Sequence, residues 1–455
     1  MLIPLRYDPK LAFEGVWGVA NPGHGKTQAI QYQIADLLPR VAKGECSILV
    51  MDNQGLAADR IIARIKNLKM FAPGQPLYGR LIHLDPRQLS HPLALNFFDV
   101  SAYTTGMTDV ERVTTIGNTV RTLNYLIGGI MGADFTERQA GLFEYLIHFL
   151  VTAVPDATIY TLRDILQPGS ETEFRKYFHK LEPEVRDFFE NDFVDHKGRK
   201  GQYTDVKEQI LRRLRSILIK PVLARMMASP RTKINLADEF GRGVVLLVDT
   251  ASDLLAKECN IIGRFWLSQL ALEMQRRGRP GAQSTPIYAF IDEFQNYGSS
   301  GEDMLMTMLE EGRKAQISIS VWHQRLDQIP DAMVNALSSC AIKFVGSVGA
   351  SVQVARWAAL LQCDPEMIRR QPKFSWTTSI RGLTDRAVSV RFPPLVMEKM
   401  PTMTSAEALI IASEMRDKYC SPYQPPARLV ANPEPEPDPS APPEPIDHAK
   451  KSTTF

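Results

Sequence analysis

Short apolar runs of strand length recur along most of this chain, and turn residues bound each of them. The runs span residues 16–20, 46–51, 81–84, 244–248, 287–291, 317–321 and 342–345. Nearly continuous apolar runs of this length are typical of strands that are buried on both faces of a largely parallel sheet. Because helical patterns lie between most of the runs, the sequence predicts a wound α/β fold with a mainly parallel sheet.

A long helical block interrupts this alternation. The strand signal fades after Asp99 and returns at about Asp238. Within the block, Thr136 and Gln139 have the spacing of a capping box that opens a helix through residue 149, and residues 205–208 resemble a second box that opens a helix over 210–226. We therefore predict an inserted all-helical subdomain over residues 100–238.

Composition describes a folded chain with a tail. Of the 455 residues, 44% are apolar and 23% are charged, which is enough to bury a sizeable core. Residues 422–455 alternate proline with acidic side chains and are predicted to be a disordered acidic tail. The formal charge of +2 neither favours nor excludes nucleic acid as a partner.

No stretch of the sequence has the pattern of a secretion signal or a membrane span. Charged residues interrupt the first fifteen positions, and the most apolar window, 142–154, is too short to cross a bilayer. The five cysteines are widely spaced and form no C-x-x-C pair, so they are interpreted as free thiols. These features predict a cytoplasmic protein.

A glycine-containing loop follows the first apolar run and precedes a helical pattern over 28–38. Strand, loop and helix in this order are the context that a Walker A motif requires. Ala20 stands where the first glycine is usual, at the strand end rather than in the phosphate cradle. The predicted nucleotide-binding residues are Asn21, Pro22, Gly23, His24, Gly25, Lys26, Thr27 and Gln28.

The residue types in this loop suit a nucleoside triphosphate. Backbone N–H groups around Gly23 and Gly25 could curl around phosphate oxygens at the helix N-terminus. Lys26 would neutralise the β- and γ-phosphates and Thr27 would ligate magnesium. The loop therefore predicts ATP and Mg²⁺ as ligands.

Paired carboxylates end the run 287–291. Asp292 would hold magnesium through water, and Glu293 would take a proton from the attacking water as a general base. The alternative is an Asp-Glu pair that only caps the next helix. Asp249 ends another apolar run and is a rival of Asp292 for the magnesium role. Thr250 follows it and no second acid supplies a base, so we interpret Asp249 as belonging to a neighbouring strand.

Two further residues are candidates for the catalytic site. Gln324 follows the run 317–321 and could contact both the γ-phosphate and the attacking water, although it could also be an ordinary polar loop residue. Arg313, on the helix before that run, could act in trans on the ATP of a neighbouring subunit. Its alternative is a surface ion pair with Glu310 on the same helix.

The order of these motifs resembles the conjugative (type IV secretion) coupling-protein ATPases and their HerA–FtsK relatives. The matching stretches cover roughly residues 10–400: Gly23-His24-Gly25-Lys26-Thr27, Leu84-Asp85-Pro86, Leu95-Asn96-Phe97, residues 244–249, Ile291-Asp292-Glu293-Phe294-Gln295, Glu311-Gly312-Arg313-Lys314 and Trp322-His323-Gln324. The resemblance implies a RecA-like P-loop NTPase in two parts, residues 1–99 and 239–421, around the helical insertion. It also implies a homo-oligomer, a hexameric ring that threads DNA.

One departure from the family leaves the pathway open. Membrane-bound coupling proteins carry an N-terminal transmembrane hairpin, whereas here the P-loop begins about twenty residues from Met1. Either the chain represents a soluble branch, cytoplasmic and open to recruitment to the inner membrane through partners, or it is not a conjugation protein. A HerA-like helicase, a viral genome-packaging ATPase, a secretion ATPase that acts on protein and a non-hydrolysing nucleotide switch are the alternatives.

Basic clusters are the candidates for sequence-independent DNA contacts. The densest basic cluster lies in the helical block and comprises residues 196–200, Arg212, Arg213, Arg215 and Lys220. It could neutralise DNA phosphates, or it could be only a solvated helix face. A second cluster, Arg276, Arg277 and Arg279, suits a helix C-terminus without any ligand. The acidic tail could bind a basic relaxase-like or secretion partner, or it could only keep the protein solvated.

Overall fold

The apolar runs form one sheet whose strands are mostly parallel. The computed structural model describes residues 7–53, 60–104, 107–131, 136–194, 201–279, 285–297, 302–349 and 351–425. The strands in these ranges are β1 (Val16–Val19), β2 (Ser47–Asp52), β3 (Leu81–Leu84), β4 (Val245–Asp249), β5 (Ile287–Ile291), β6 (Ile317–His323), β7 (Ile342–Val345), β8 (Ser375–Ile380) and β9 (Val388–Arg391). All seven predicted strands are confirmed.

The strand order places β6 between the P-loop strand and the strand that ends in paired carboxylates. The order is β3-β4-β2-β5-β6-β1-β7-β8-β9. Strands β1 to β7 pair in parallel, whereas β8 is antiparallel to both β7 and β9. The polar ends of the parallel strands therefore meet at one carboxyl edge of the sheet.

Helices cover the sheet and fill the long connection between β3 and β4. The helices are α1 (Lys26–Ala42), α2 (Ile61–Ile65), α3 (Ser101–Thr104), α4 (Asp109–Met131), α5 (Glu137–Thr152), α6 (Ile159–Ile165), α7 (Glu171–Phe174), α8 (Pro183–Asp187), α9 (Thr204–Leu218), α10 (Pro221–Met226), α11 (Leu236–Gly241), α12 (Ser252–Leu255), α13 (Cys259–Arg277), α14 (Glu302–Ala315), α15 (Asp331–Ser338), α16 (Ser351–Leu361), α17 (Pro365–Arg369) and α18 (Ser405–Tyr419). Short 3₁₀ turns lie at Pro9–Glu14, Lys69–Phe71, Arg175–Lys180, Ala256–Glu258, Phe294–Asn296, Leu326–Gln328 and Met397–Lys399, and a π-helical turn lies at Phe188–Asp192.

Alternate residues of the central strands enter two hydrophobic cores. Ile48 and Val50 of β2 pack on the side of α1 and α2, while Leu49 and Met51 pack on the side of α13. Strands β1, β2, β4 and β5 are buried at every position. Both faces of these four strands are therefore covered, which explains why their sequence signal was a continuous apolar run rather than an alternation.

The segment between β3 and β4 is helical, with no strand among its described residues. The capping box at Thr136 is confirmed, because Thr136 and Gln139 exchange side chain to backbone hydrogen bonds at the start of α5. The second predicted box is wrong. Helix α9 begins at Thr204, and Pro221 begins the separate helix α10 where a single helix over 210–226 was expected. The domain boundaries remain a prediction.

Residues 1–424 form one compact unit, and a second unit spans 425–455. The second unit lies outside the described residues apart from Pro425, as does most of the predicted tail 422–455. None of the helices in the described ranges is both long and apolar enough to cross a membrane. The five cysteines are free thiols, as predicted, and all except Cys363 are buried.

Candidate functional site

The glycine-containing loop joins the end of β1 to the start of α1. Ala20 is buried and continues the strand, since its N–H donates to the His323 carbonyl at 3.4 Å. Asn21 donates from its backbone to the Ser347 carbonyl at 3.1 Å. Ala20, where the usual motif has glycine, therefore belongs to the end of the strand and not to the curved part of the loop.

Two glycines give the loop its curvature. Gly23 and Gly25 have φ angles of 77° and 113°, which favour glycine over other residues. Pro22 lies exposed beside Gly23 in the turn, and Gly25 precedes Lys26, the first residue of α1. The free N–H groups of the first turn, including those of Lys26, Thr27 and Gln28, lie at the positive end of the helix dipole. This is the geometry of a phosphate cradle.

The His24 side chain points away from that cradle. Its ring is buried, lies edge-on to Trp376 at 5.3 Å and hydrogen-bonds the Ser375 carbonyl through Nε2 at 2.7 Å. Burial lowers the pKa of His24. The side chain therefore fastens the loop to β8, and only the backbone of His24 remains to meet a phosphate.

Lys26 and Gln324 both contact the carboxylate of Glu293. Lys26 Nζ and Gln324 Nε2 donate to Glu293 Oε1 at 3.0 Å and 2.9 Å. Gln295, which belongs to a family-like stretch but had no predicted role, donates from Nε2 to the other oxygen at 2.6 Å. Burial alone would raise the pKa of Glu293, but Lys26 and these amides lower it below its ordinary value. Glu293 is therefore ionised and able to accept a proton.

Asp292 lies buried at the same edge of the sheet. Its backbone N–H donates to the Met51 carbonyl at 3.0 Å, and burial raises its pKa to about 7, with Glu293 and Asp52 adding to the rise. Oxygen ligands of this kind, a carboxylate and the Thr27 hydroxyl, fit Mg²⁺. A divalent cation would also offset the negative charge that raises this pKa.

The paired carboxylates do not cap a helix. Glu293 occupies the position before the turn Phe294–Asn296, but its side chain makes no capping hydrogen bond. Its φ of 49° bends the chain sharply after β5. The bend accompanies the contact between Glu293 and Lys26, so the Glu293 side chain engages the P-loop rather than the turn that follows it.

Asp249, the rival of Asp292, is engaged by arginines. Arg87 Nη1 contacts Asp249 Oδ2 at 2.8 Å, and Arg60 approaches both oxygens at 3.4 Å. Burial would raise the pKa of Asp249, but Arg87 and Arg60 lower it. Arg60 also contacts Asp52 at 3.5 Å, so these residues form a charge network beside the Lys26–Glu293 pair.

Arg313 lies at the opposite edge of the sheet. Helix α14 ends where β6 begins, whereas the P-loop follows the end of β1, which is parallel to β6. The Arg313 side chain is 73% exposed and pairs with Glu14 at 3.0 Å. The expected partner Glu310 was therefore wrong, and Arg313 is placed too far away to act on the ATP of its own subunit.

The basic clusters differ in their surroundings. Arg212, Arg213 and Arg215 lie on the exposed side of α9, whose other side is buried. Lys220 pairs with Glu258 at 2.9 Å. Residues 196–200 lie outside the described ranges.

The second cluster is used within the fold. Arg276 and Arg277 both pair with buried Glu273 at 2.7 Å, and Arg279 donates to Thr115 at 2.9 Å.

His323, which precedes Gln324, is locked in the neutral form. Its Nε2 accepts a hydrogen bond from Trp17 Nε1 at 2.7 Å, so its Nδ1 carries the proton and donates to the Arg325 carbonyl at 2.9 Å. Protonation of Nε2 would break the bond to Trp17. Complete burial lowers the pKa of His323 to about 4.

This lowered pKa predicts a loss of stability in acid. Above about pH 6.5 the stabilisation is fully present, and it declines as the pH falls towards 4, because the unfolded chain then binds a proton that the folded chain excludes. When the pH falls from 7 to 5, the unfolding free energy of the wild type should therefore decrease by about 2 kcal/mol more than that of His323→Asn, which lacks the titrating group.

Urea unfolding at the two pH values, followed by tryptophan fluorescence, measures this difference. His91→Asn, at a half-buried position away from His323, is the control for replacing a histidine by asparagine. The pKa values of His83 and Asp292 are also shifted, but both residues are present in all three proteins. Their contributions to the pH dependence therefore cancel when the proteins are compared. If the unfolding free energy of His323→Asn depended on pH as strongly as that of the wild type, a neutral His323 would be contradicted.

Comparisons with known proteins give a fold. No family model matches the chain, and no curated protein matches it in sequence. The bacterial conjugative coupling protein TrwBdeltaN70, in its unbound monoclinic form, is similar with a TM-score of 0.56 and 13% identity over 85% of this chain and 87% of that chain. Plasmid coupling protein TrwB in complex with ADP and Mg²⁺ is similar with a TM-score of 0.54 and 14% identity, over 88% and 89% of the two chains.

A third solved structure extends the likeness. VirB4 of Thermoanaerobacter pseudethanolicus is similar with a TM-score of 0.51 and 12% identity, over 86% of this chain and 90% of that chain. The α/β fold with a mainly parallel sheet is thus confirmed, and the resemblance to coupling-protein ATPases, which implied a RecA-like fold, holds at the level of fold.

Proposed function

We propose that this chain is an ATPase of the conjugative, type IV secretion kind, and that it uses ATP hydrolysis to move DNA. One observation carries the proposal. Lys26 of the P-loop and Gln324 at the end of β6 meet on the same oxygen of buried, ionised Glu293. An acid, a lysine and an amide converge there at a phosphate cradle, as phosphoryl transfer to water requires.

Each of these side chains has a role in the proposed reaction. The triphosphate would lie along the first turn of α1, and Lys26 would exchange Glu293 for the β- and γ-phosphates. Glu293 would then accept a proton from the attacking water, while Gln324 would orient that water. Thr27 and Asp292 would hold Mg²⁺, which neutralises the phosphate charge when it is bound.

The fold supports DNA as the substrate of the motor. Plasmid coupling protein TrwB, which is described as a conjugative coupling protein, shares the fold over most of both chains. The exposed arginines of α9, within the proposed insertion 100–238, could neutralise DNA phosphates. We further infer a homo-oligomeric ring, in which Arg313, at the edge opposite its own P-loop, would contact the ATP of a neighbour.

Steady-state ATP hydrolysis with and without DNA tests this function. We expect single- or double-stranded DNA to stimulate turnover severalfold, and added salt to weaken the stimulation, because phosphate contacts release counterions. Lys26→Ala should abolish turnover with and without DNA. Arg212→Ser combined with Arg215→Ser should reduce only the stimulation, and Arg370→Ser, another exposed arginine, is the matched control.

Other outcomes would redirect the assignment. Turnover that is indifferent to DNA would favour an ATPase that acts on protein. The absence of turnover despite tight ATP binding would indicate a nucleotide switch. Sedimentation in the presence of ATP and Mg²⁺ would show whether a ring assembles, and recovery with membranes only when secretion partners are present would support recruitment to the inner membrane.

A further inference from the structure

The segment that follows β7 contacts the P-loop directly. Phe374 donates its backbone N–H to the His24 carbonyl at 3.0 Å. Its half-buried ring lies against Gly25 so closely that a Cβ atom on Gly25 would be 2.5 Å from Phe374 Cδ1. An aromatic side chain is thus placed at the rim of the proposed phosphate cradle.

The residues after β9 contact the other side of the same helix start. Gln28 Nε2 donates to Glu398 Oε1 at 2.9 Å, and Gln28 Oε1 accepts a hydrogen bond from the Leu395 backbone N–H at 2.5 Å. The Leu395 side chain is 51% exposed. Gln28 therefore anchors an exposed apolar side chain beside the first turn of α1.

Phe374 and Leu395 both have left-handed backbones. Their φ angles are 67° and 60°, which are unusual for bulky residues. Such conformations are costly and occur mainly where the surroundings impose them, often at ligand clamps. Both residues contact the segment that begins α1, Phe374 at Gly25 and Leu395 at Gln28.

The strand order indicates which part of ATP this segment would meet. Lys26 contacts Glu293 on the side of β5 and β6, and this contact marks the γ-phosphate end of the site. Phe374 begins the approach to β8, on the opposite side of β1. A phosphate chain that runs from Lys26 towards the N–H of Gln28 leads away from Glu293. The nucleoside of ATP would therefore lie next to the segment that contains Phe374.

We propose that Phe374 and Leu395 form the nucleobase-binding wall of the ATP site, held in place by the Gln28–Glu398 contact. The inference rests on the proposed function, since it assigns the base half of the same site. The Phe374 ring supplies a stacking surface, and Leu395 supplies an apolar edge. The solvated Lys373 side chain, whose ammonium lies 5.0 Å from the ring centre, can move aside for a base.

Binding of two ligands that differ only in the nucleoside tests this assignment. Titration calorimetry with ADP and with inorganic pyrophosphate, both in Mg²⁺, compares the wild type with Phe374→Leu, which keeps apolar volume against Gly25 but removes the aromatic face. We expect Phe374→Leu to bind ADP about tenfold more weakly and pyrophosphate unchanged, because stacking on an aromatic side chain accounts for a loss of this size. Phe374→Tyr should bind ADP like the wild type.

The controls separate a binding role from a structural one. Tyr78→Leu removes an exposed aromatic ring elsewhere and should change neither affinity. An equal loss of ADP and pyrophosphate affinity in Phe374→Leu would overturn the inference, because the ring would then only support the loop. Unchanged ADP affinity would overturn it as well. Failure of the wild type to bind either ligand would overturn the proposed function and, with it, this inference.

Discussion

Glu293→Gln should hydrolyse ATP about 10²- to 10⁴-fold more slowly than the wild type, because the loss of a general base reduces a rate by about this factor. The variant should still bind ATP. Glutamine has the same size but cannot accept the proton of the attacking water. In the structure the carboxylate receives hydrogen bonds from Lys26, Gln295 and Gln324, which lower its pKa and keep it ionised. Phosphate release at saturating ATP measures the rate, and equilibrium binding of ATP measures the affinity.

A carboxylate on α14 provides the matched control. Glu310 is exposed, so Glu310→Gln should keep the wild-type rate. Lys26→Ala should differ from Glu293→Gln in losing nucleotide affinity as well as turnover, since Lys26 is expected to contact the phosphates. Wild-type turnover in Glu293→Gln would show that another group accepts the proton, and the catalytic assignment of Glu293 would then be wrong.

The sequence was sufficient for the central fold because buried parallel strands leave a local signal. Each of the seven predicted strands is a short apolar run, and β1, β2, β4 and β5 are buried at every position. The P-loop was equally local, because Gly23 and Gly25 lie within one strand–loop–helix unit. Patterns of this kind depend on neighbours in sequence, so they can be seen without the tertiary structure.

Strands β8 and β9 left no comparable signal. Strand β8 reads Ser-Trp-Thr-Thr-Ser-Ile, and β9 is mostly exposed. Strand β9 is the last strand of the sheet, where exposed polar residues are tolerated, whereas β8 is buried but carries the polar residues Ser375, Thr377 and Thr378 in place of an apolar run. The consequence reaches the site, because Phe374 adjoins β8, and its contact with Gly25 was therefore not predicted.

Contacts between distant segments account for the other errors. The helical spacing suggested Glu310 as the partner of Arg313, but the 3₁₀ turn near the N-terminus brings Glu14 to Arg313 instead. Asp52 and Arg60 were missed because neither belongs to a recognisable motif. Their significance appears only when the sheet places β2 beside β4, so that Arg60 can reach Asp249.

Arg60→Met should lower the unfolding free energy by about 3 to 5 kcal/mol, the usual cost of breaking a buried ion pair. Arg60 is 4% exposed and lies between the carboxylates of Asp52 and Asp249, which are themselves buried. Methionine fills part of the volume of the arginine stem but supplies no charge, so Asp52 and Asp249 both lose this cation, while Asp249 keeps its contact with Arg87. Denaturant unfolding of the two proteins at neutral pH measures the change.

The exposed pair Arg370–Glu366 supplies the control for this prediction. The Arg370 side chain is 83% exposed and contacts Glu366 at 3.0 Å, so Arg370→Met should cost no more than about 1 kcal/mol. Adding Asp52→Asn to Arg60→Met should restore part of the lost stability, because it removes a buried negative charge that the guanidinium of Arg60 partly offsets in the wild type. If Arg60→Met costs no more than Arg370→Met, or if Asp52→Asn restores nothing, the carboxylates are compensated by other groups and Arg60 does not stabilise this edge of the sheet.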